Sequence, residues 1–249
     1  MLRLFRRRKT QPSFLSGLRQ KFPDARSEDL ETIDAVRMYT MTSAERILAL
    51  CQSVRYLVQN RVPGDIVECG VWRGGSIMAV LRTLKLLNAC DRRVWLFDTF
   101  CGMPTPTARD VDFAGKTAGE LLRAHSSDDP QSIWCRSSLN EVRGNVGRCG
   151  YPDDLVRYVV GPVETTLQTE HPDCVALLRL DTDWYESTRI ELDRLFPRLV
   201  PGGVLLVDDY GHWQGCRRAV DEYFKSHSIC MMLHRIDYTG RIGIRHHAA

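Results

Sequence analysis

No run of about 18 apolar residues occurs anywhere in the sequence, so nothing in it reads as a membrane span. The opening mixes Leu2, Leu4 and Phe5 with Arg3, Arg6, Arg7, Arg8 and Lys9, and it lacks the apolar stretch of a signal peptide. Such an opening has two readings, a solvated tail or a weak contact with an anionic membrane surface. Strong charge of one sign is also missing. The formal net charge of the 249 residues is +3, with much of the excess in that opening, so no nucleic-acid partner is expected. No C-x-x-C pair occurs. The nine cysteines are odd in number and scattered, and several sit in apolar runs where a thiol acts as a small hydrophobe. This argues against a zinc site or a disulfide framework and for a reducing cytoplasm. Internal repeats and low-complexity tracts are absent.

What is present suits a single α/β domain. Residues 1–27 are expected to be a flexible basic tail, and 28–249 one domain that opens with a helical extension over 28–61. Ile47, Leu48, Leu50, Cys51, Val54, Leu57 and Val58 recur at helical spacing, with Ser27 or Ser43 as a cap. After the breaker Pro63-Gly64 the chain alternates. Strands are expected at Asp65–Cys69, Arg93–Phe97, Leu155–Val160, Cys174–Leu180 and Val204–Val207, with two more near Ile229–His234 and Arg241–Arg245. Helices are expected at Ser76–Leu87, 138–148, Val163–Thr169, Ser187–Phe196 and Cys216–Lys225. The turn Pro201-Gly202-Gly203 should precede the fifth strand. Residues 101–133 lose all periodicity and read as a long loop or lid. This order predicts a doubly wound, mainly parallel, seven-stranded Rossmann-like sheet, whose ligand binds beyond the carboxyl ends of the strands.

The stretch Glu68-Cys69-Gly70-Val71-Trp72-Arg73-Gly74-Gly75-Ser76 joins a strand to a helix. Gly70 allows a sharp turn, and Gly74 and Gly75 allow close backbone approach to a ligand. The first G-x-G of a dinucleotide site is missing, which tells against a nicotinamide oxidoreductase. A glutamate at the strand end would repel a phosphate. It suits a cationic or hydroxyl-bearing ligand, and S-adenosylmethionine offers an ammonium, a sulfonium and ribose hydroxyls. Asp98 ends the second strand, where an acid accepts hydrogen bonds from a ribose diol. Two plainer roles stay open: Asp98 as the cap of a turn, and Glu68 as a buried acid paired with an arginine such as Arg73.

Acids also end two later strands, in Leu180-Asp181-Thr182-Asp183 and Val207-Asp208-Asp209. If those strands are neighbours, about 4.8 Å apart, Asp181, Asp208 and Asp209 converge. Clustered carboxylates repel unless a proton or cation neutralises them. Hard oxygens without Cys or His suit Mg²⁺ or Ca²⁺. The same acids are also favourable as helix N-terminal charges.

Four segments carry a resemblance: Val62-Pro63-Gly64-Asp65, Glu68 to Gly75, Arg179 to Thr188, and Val207-Asp208-Asp209-Tyr210. They resemble the macrocin O-methyltransferase family, Mg²⁺-dependent enzymes that methylate sugar hydroxyls on macrolide antibiotics, over about Tyr39 to Phe224. The resemblance implies a metal on Asp181, Asp208 and Asp209. It implies cofactor contacts from Met41, Thr42, Glu68, Gly70, Gly74, Ser76, Asp98, Thr99 and Ser138. The family often has D-G-D where this chain has Asp181-Thr182-Asp183, and residues 101–133 and the last twenty match poorly. The implied reaction moves a methyl group from S-adenosylmethionine to a sugar hydroxyl of a glycosylated natural product or a glycan. A catechol or phenol is the alternative acceptor, and a non-catalytic binding protein on the same fold is the remote one. Asp181 is the first choice for taking the acceptor's proton. His212 is the second, against a plain surface-loop role. Trp184, Tyr185 and Trp213 are candidates to stack on an acceptor ring. A homo-oligomer is expected.

Overall fold

The computed structural model describes residues 13–129 and 132–246, so the basic opening and its two readings lie outside the described residues. Three helices lead: α1 (Phe14–Lys21), α2 (Ser27–Val36) and α3 (Ala44–Gln59). Then follow β1 (Asp65–Cys69), α4 (Gly75–Leu86), β2 (Val94–Asp98), α5 (Ala118–Ala124), α6 (Leu139–Gly147) and β3 (Val156–Val160). The second half holds α7 (Val163–Thr166), β4 (Val175–Leu180), α8 (Tyr185–Leu195), β5 (Leu199–Val207), α9 (Gln214–Ser226), β6 (His234–Arg235) and β7 (Arg241–Ile244).

The seven strands form one sheet in the order β3-β2-β1-β4-β5-β7-β6. All pairs are parallel except those made by β7, which runs antiparallel to β5 and β6. The expected doubly wound, mainly parallel sheet is therefore the observed one. Side chains alternate across it except at the register shift in β4. Ile66, Leu96, Leu177, Val204 and Leu206 pack on one face with α2, α3, α4 and α6. Val67, Phe97, Leu178, Leu180, Leu205 and Val207 pack on the other with α5, α8 and α9. Strand order reverses direction between β1 and β4, which opens a crevice at their carboxyl ends.

Several expectations need correction. Residues 13–27 are not a featureless tail: Ser13 caps α1, and Leu18 is buried in the core. Ser43 caps α3 by accepting from Arg46 N, whereas Ser27 is already inside α2. The strand expected from Val204 starts at Leu199. It runs through Pro201-Gly202-Gly203 because the register jumps from Val175↔Leu199 to Leu177↔Val204, a bulge that absorbs the breaker residues. The strand expected at Ile229–His234 shrinks to His234–Arg235, the sheet edge. Residues 101–133 contain α5, closed by a capping box between Thr117 and Glu120, and Ala118 and Leu122 are buried. The segment is also tied down: Asp110 is fully buried and accepts from Tyr185 N at 2.8 Å. Its polar and Pro-rich composition hid the short apolar stripe of one helix.

The leading helices are joined to one another by charge. Asp29 on α2 is 2% exposed and accepts from Arg55 on α3, at 2.7 Å from Nη2 and 3.1 Å from Nε. Replacing Asp29 with Ala leaves that guanidinium without its bidentate partner in a largely buried place. We expect a loss of about 2–3 kcal/mol in unfolding free energy, read from urea denaturation, with Arg55→Met recovering part of it.

Candidate active site

A cleft of about 320 Å³ opens at the carboxyl ends of β1 to β5. Its wall is built by the residues that follow each strand: Gly70 after β1, Asp98 and Thr99 at β2, Gly161 after β3, Asp181 to Asp183 after β4, and Asp208 and Asp209 after β5. The segment Thr40-Met41-Thr42 before α3 closes one side.

Backbone geometry makes the half of the cleft expected to take a cofactor. Gly70 has φ +82°, and a Cβ there would lie 2.0 Å from the Asp181 carbonyl oxygen. Only glycine lets β1 turn away so close to β4. Asp98 locks that turn. Its Oδ2 accepts from Val71 N at 2.6 Å and Trp72 N at 3.0 Å, and its Oδ1 accepts from Phe100 N at 2.6 Å. The capping role left open for Asp98 is thus real, and the carboxylate still lines the cleft. Thr99 donates to Gly102 O at 2.7 Å. Ser76 sits at the start of α4, its hydroxyl 3.3 Å from that of Thr42. Met41 is half exposed on the same wall.

Three of the expected cofactor residues stand off the wall. Glu68 is 2% exposed beneath it and is paired with Arg179, not with Arg73, which instead bonds Glu141 at 2.8 Å. Gly74 is the left-handed N-cap residue of α4. Ser138 caps α6 by accepting from Glu141 N.

The acid cluster departs from expectation in one member. Ligand oxygens of Asp181, Asp183 and Asp209 lie within 4.8 Å of one another. Asp208 is turned to cations of the chain itself, Arg46 and Arg179, the latter at 2.9 Å. The reason is strand parity. Glu68, Arg179 and Leu206 sit side by side in register, and Asp208 shares their face, the one covered by α3 with Arg46. Arg179 also meets Asp181 at 2.7 Å and the Thr42 hydroxyl at 2.9 Å.

Burial raises the proton affinity of this group of acids. Glu68 is pushed up to about 7 against the pull of Arg179. Asp183 is pushed up to about 7 as well, chiefly by burial. Asp181 and Asp209 rise well above the carboxylate range, burial first, with neighbouring carboxylates adding to it. Asp183 and Asp209 share a hydrogen bond, and Asp209 Oδ2 is buried without a partner among the described residues. His212 on the wall has its pKa lowered by burial, and its Nδ1 lies 3.2 Å from the Tyr238 hydroxyl. Trp184 and Trp213 pack edge to face at 4.9 Å and are buried, as is Tyr185, so their bulk belongs to the core, although Trp213 also touches the cleft.

Arg46, Arg179, Asp183 and Asp237 belong to this charged network, and sequence reading assigned none of them. Arg179 did leave a signal: one charge inside the otherwise apolar buried strand Val175–Leu180 demands a partner. Asp237, which accepts from Arg46 Nε at 3.0 Å, left none.

The fold and this site define a methyltransferase of the doubly wound class that binds S-adenosylmethionine. The chain belongs to the macrocin O-methyltransferase family, whose model matches residues 6–243, wider than the stretch on which the resemblance rests. It is an S-adenosylmethionine-dependent O-methyltransferase. It is 37% identical over 211 residues to the 8-demethyl-8-(2,3-dimethoxy-alpha-L-rhamnosyl)-tetracenomycin-C 4'-O-methyltransferase of Streptomyces olivaceus, covering 85% of this chain and 77% of that protein. It is 33% identical over 231 residues to the mycinamicin III 3''-O-methyltransferase of Micromonospora griseorubida, covering 93% and 84%. Among solved structures, that of the O-methyltransferase NovP superposes with a TM-score of 0.72 at 35% identity, covering 84% of this chain and 82% of that one. A calicheamicin methyltransferase shares the fold at 18% identity, with a TM-score of 0.62 over 94% of each chain.

Because Asp98 both shapes the turn and faces the cleft, Asp98→Asn should weaken cofactor binding. Calorimetry with S-adenosylmethionine should show a ten- to hundredfold loss, about 1.4–2.7 kcal/mol, in a variant that keeps its fold.

Proposed function

We propose that the protein methylates a sugar hydroxyl of a glycosylated small molecule, with a hard divalent cation as helper. The observation that carries this is the charge of the cleft. Asp98, Asp181, Asp183, Asp208 and Asp209 line it, and Arg46 is the one Lys or Arg on its wall among the described residues. Arg46 is taken by Asp208 and Asp237. A site so acidic attracts a cationic sulfonium cofactor and disfavours a nucleotide diphosphate sugar as acceptor. Neutral glycosides fit it, and the rhamnosyl acceptor named for the tetracenomycin relative supports that class.

The residues present fit a cation. Asp181, Asp183 and Asp209 would hold it: their oxygens converge, all are hard ligands, and the orphaned Asp209 Oδ2 points to a missing positive partner. When bound, it would lower the pKa of an acceptor hydroxyl and help to orient it. Sequence reading favoured Asp181 as the proton acceptor. Asp181, however, is held by the Arg179 guanidinium at 2.7 Å and would be a ligand of the cation, so its oxygens are already engaged. His212 is held largely neutral near pH 7 by its lowered pKa, and it lines the cleft where the acceptor enters. We assign the proton to His212, with Asp181 as a positioning carboxylate. Methyl transfer itself is an in-line displacement at an already activated carbon. The protein's share is orientation, proton removal and exclusion of water. The free thiols of all nine cysteines suit a cytoplasmic location.

Chelation with EDTA should abolish turnover, and Mg²⁺ should restore it. Paired sugar and catechol acceptors, each followed by mass spectrometry, separate the two acceptor classes. Methylation of catechols alone would overturn the sugar reading.

The pH profile tests the base. Activity should fall toward acid with an apparent pKa below about 6.5, the ordinary histidine value, because burial disfavours the charged imidazolium. His212→Ala should lower kcat by about a hundredfold or more and remove that limb. An unchanged acid limb in the variant would return the role to Asp181.

A further inference from the structure

Two turns hold aromatic rings in water at the mouth of the cleft. Phe113 is 65% exposed and Tyr238 is 60% exposed, although both are large and apolar enough to be costly there. They are far apart in the chain and meet around His212. The Phe113 ring centroid lies 5.4 Å from that of His212 and 6.4 Å from that of Tyr238, and Tyr238 lies 6.0 Å from His212. The cluster continues inward, since the His212 ring is 4.9 Å from Trp213, which lines the cleft.

Neither ring is exposed because its backbone is loose. Asp112 Oδ1 accepts from Ala114 N at 2.8 Å and Lys116 N at 2.9 Å, and the Gln214 side chain fixes the Asp112 carbonyl to the start of α9 at 2.8 Å. Asp237 Oδ1 accepts from Thr239 N at 2.9 Å and Gly240 N at 2.7 Å, while its other oxygen is held by Arg46. The second turn also presses on the loop that bears His212: Gly211 N donates to Thr239 O at 2.9 Å, and a Cβ on Gly211 would lie 2.2 Å from Tyr238 O. Rigid, solvated rings on the rim of a pocket gain most by being covered, because little freedom is left to lose on binding.

We propose that Phe113, Tyr238 and the His212 ring form a second acceptor subsite, which takes the apolar ring system of the aglycone while the sugar sits among the acids. This rests on the glycoside reading above. The occupant follows from position. An apolar group joined to a sugar whose hydroxyl reaches Asp181 has to extend out of the cleft, and His212 and Tyr238 line that cleft with the Phe113 ring packed against both.

The test is calorimetry of two probes, naphthyl α-L-rhamnoside and methyl α-L-rhamnoside, on enzyme loaded with S-adenosylhomocysteine and Mg²⁺. The wild type should prefer the naphthyl probe. Phe113→Ala and Tyr238→Leu should each weaken its binding about tenfold, so that the ratio of the two affinities moves toward one. Exposure of both rings means that neither variant should lose melting temperature. Equal affinity of the wild type for the two probes overturns the subsite, and so does an equal fall for both probes in the variants. Light scattering that shows a dimer dissolved by Phe113→Ala would overturn it in favour of a chain-to-chain contact. If neither probe gains a methyl group in a turnover assay while the naphthyl preference and its loss persist, the sugar reading fails and the rim stands.

Discussion

Arg179 is 2% exposed, yet its guanidinium reaches carboxylates on three neighbouring strands: Glu68 of β1, Asp181 after β4 and Asp208 after β5. Two strands of a parallel sheet can be held side by side by apolar packing alone. Three acids at their ends cannot, because each buried charge is costly without a partner. One planar cation with five donors meets the need in a way that a lysine would not. It also reaches the Thr42 hydroxyl at 2.9 Å, so the segment that closes the cofactor side is referred to the same centre. Cofactor turn, acid cluster and closing segment therefore share one origin of position.

A single arginine does not neutralise the group. Arg46 supplies a second cation from α3, and the remaining excess of acid shows itself in the raised proton affinities of Glu68 and Asp183, both pushed up to about 7 by burial. The cleft is thus built to prefer positive guests. A sulfonium beside it and a divalent cation among the acids would each lower the energy of a site that its own side chains leave partly uncompensated.

Much of this was legible in the sequence. Every strand that carries a site residue showed as an apolar run, and Gly70, Asp98, Asp181 and Asp208 stood at the ends of those runs, so the cleft could be placed without coordinates. The exchange of Asp183 for Asp208 in the acid cluster was not legible. It depends on which side of a strand end each carboxylate takes and on an arginine from α3, 162 residues away in the chain. The resemblance implies ligand contacts from Ser138 and Gly74, and in the fold one is a helix cap and the other a left-handed turn. Both are backbone duties that leave the same residue types in the sequence as ligand binding does. The helix α5 was hidden because seven residues are too few to show a period against Gly, Asp and Thr on either side.

The tie between Arg46 and Asp237 spans 191 residues. During synthesis α3 is exposed long before either of its acidic partners exists, so Arg46 must wait as an unpaired charge while the first half of the sheet assembles. Contacts so distant in sequence form late and slow the final step of folding. The side of the cleft that Asp237 and Tyr238 border is therefore the last to take its shape.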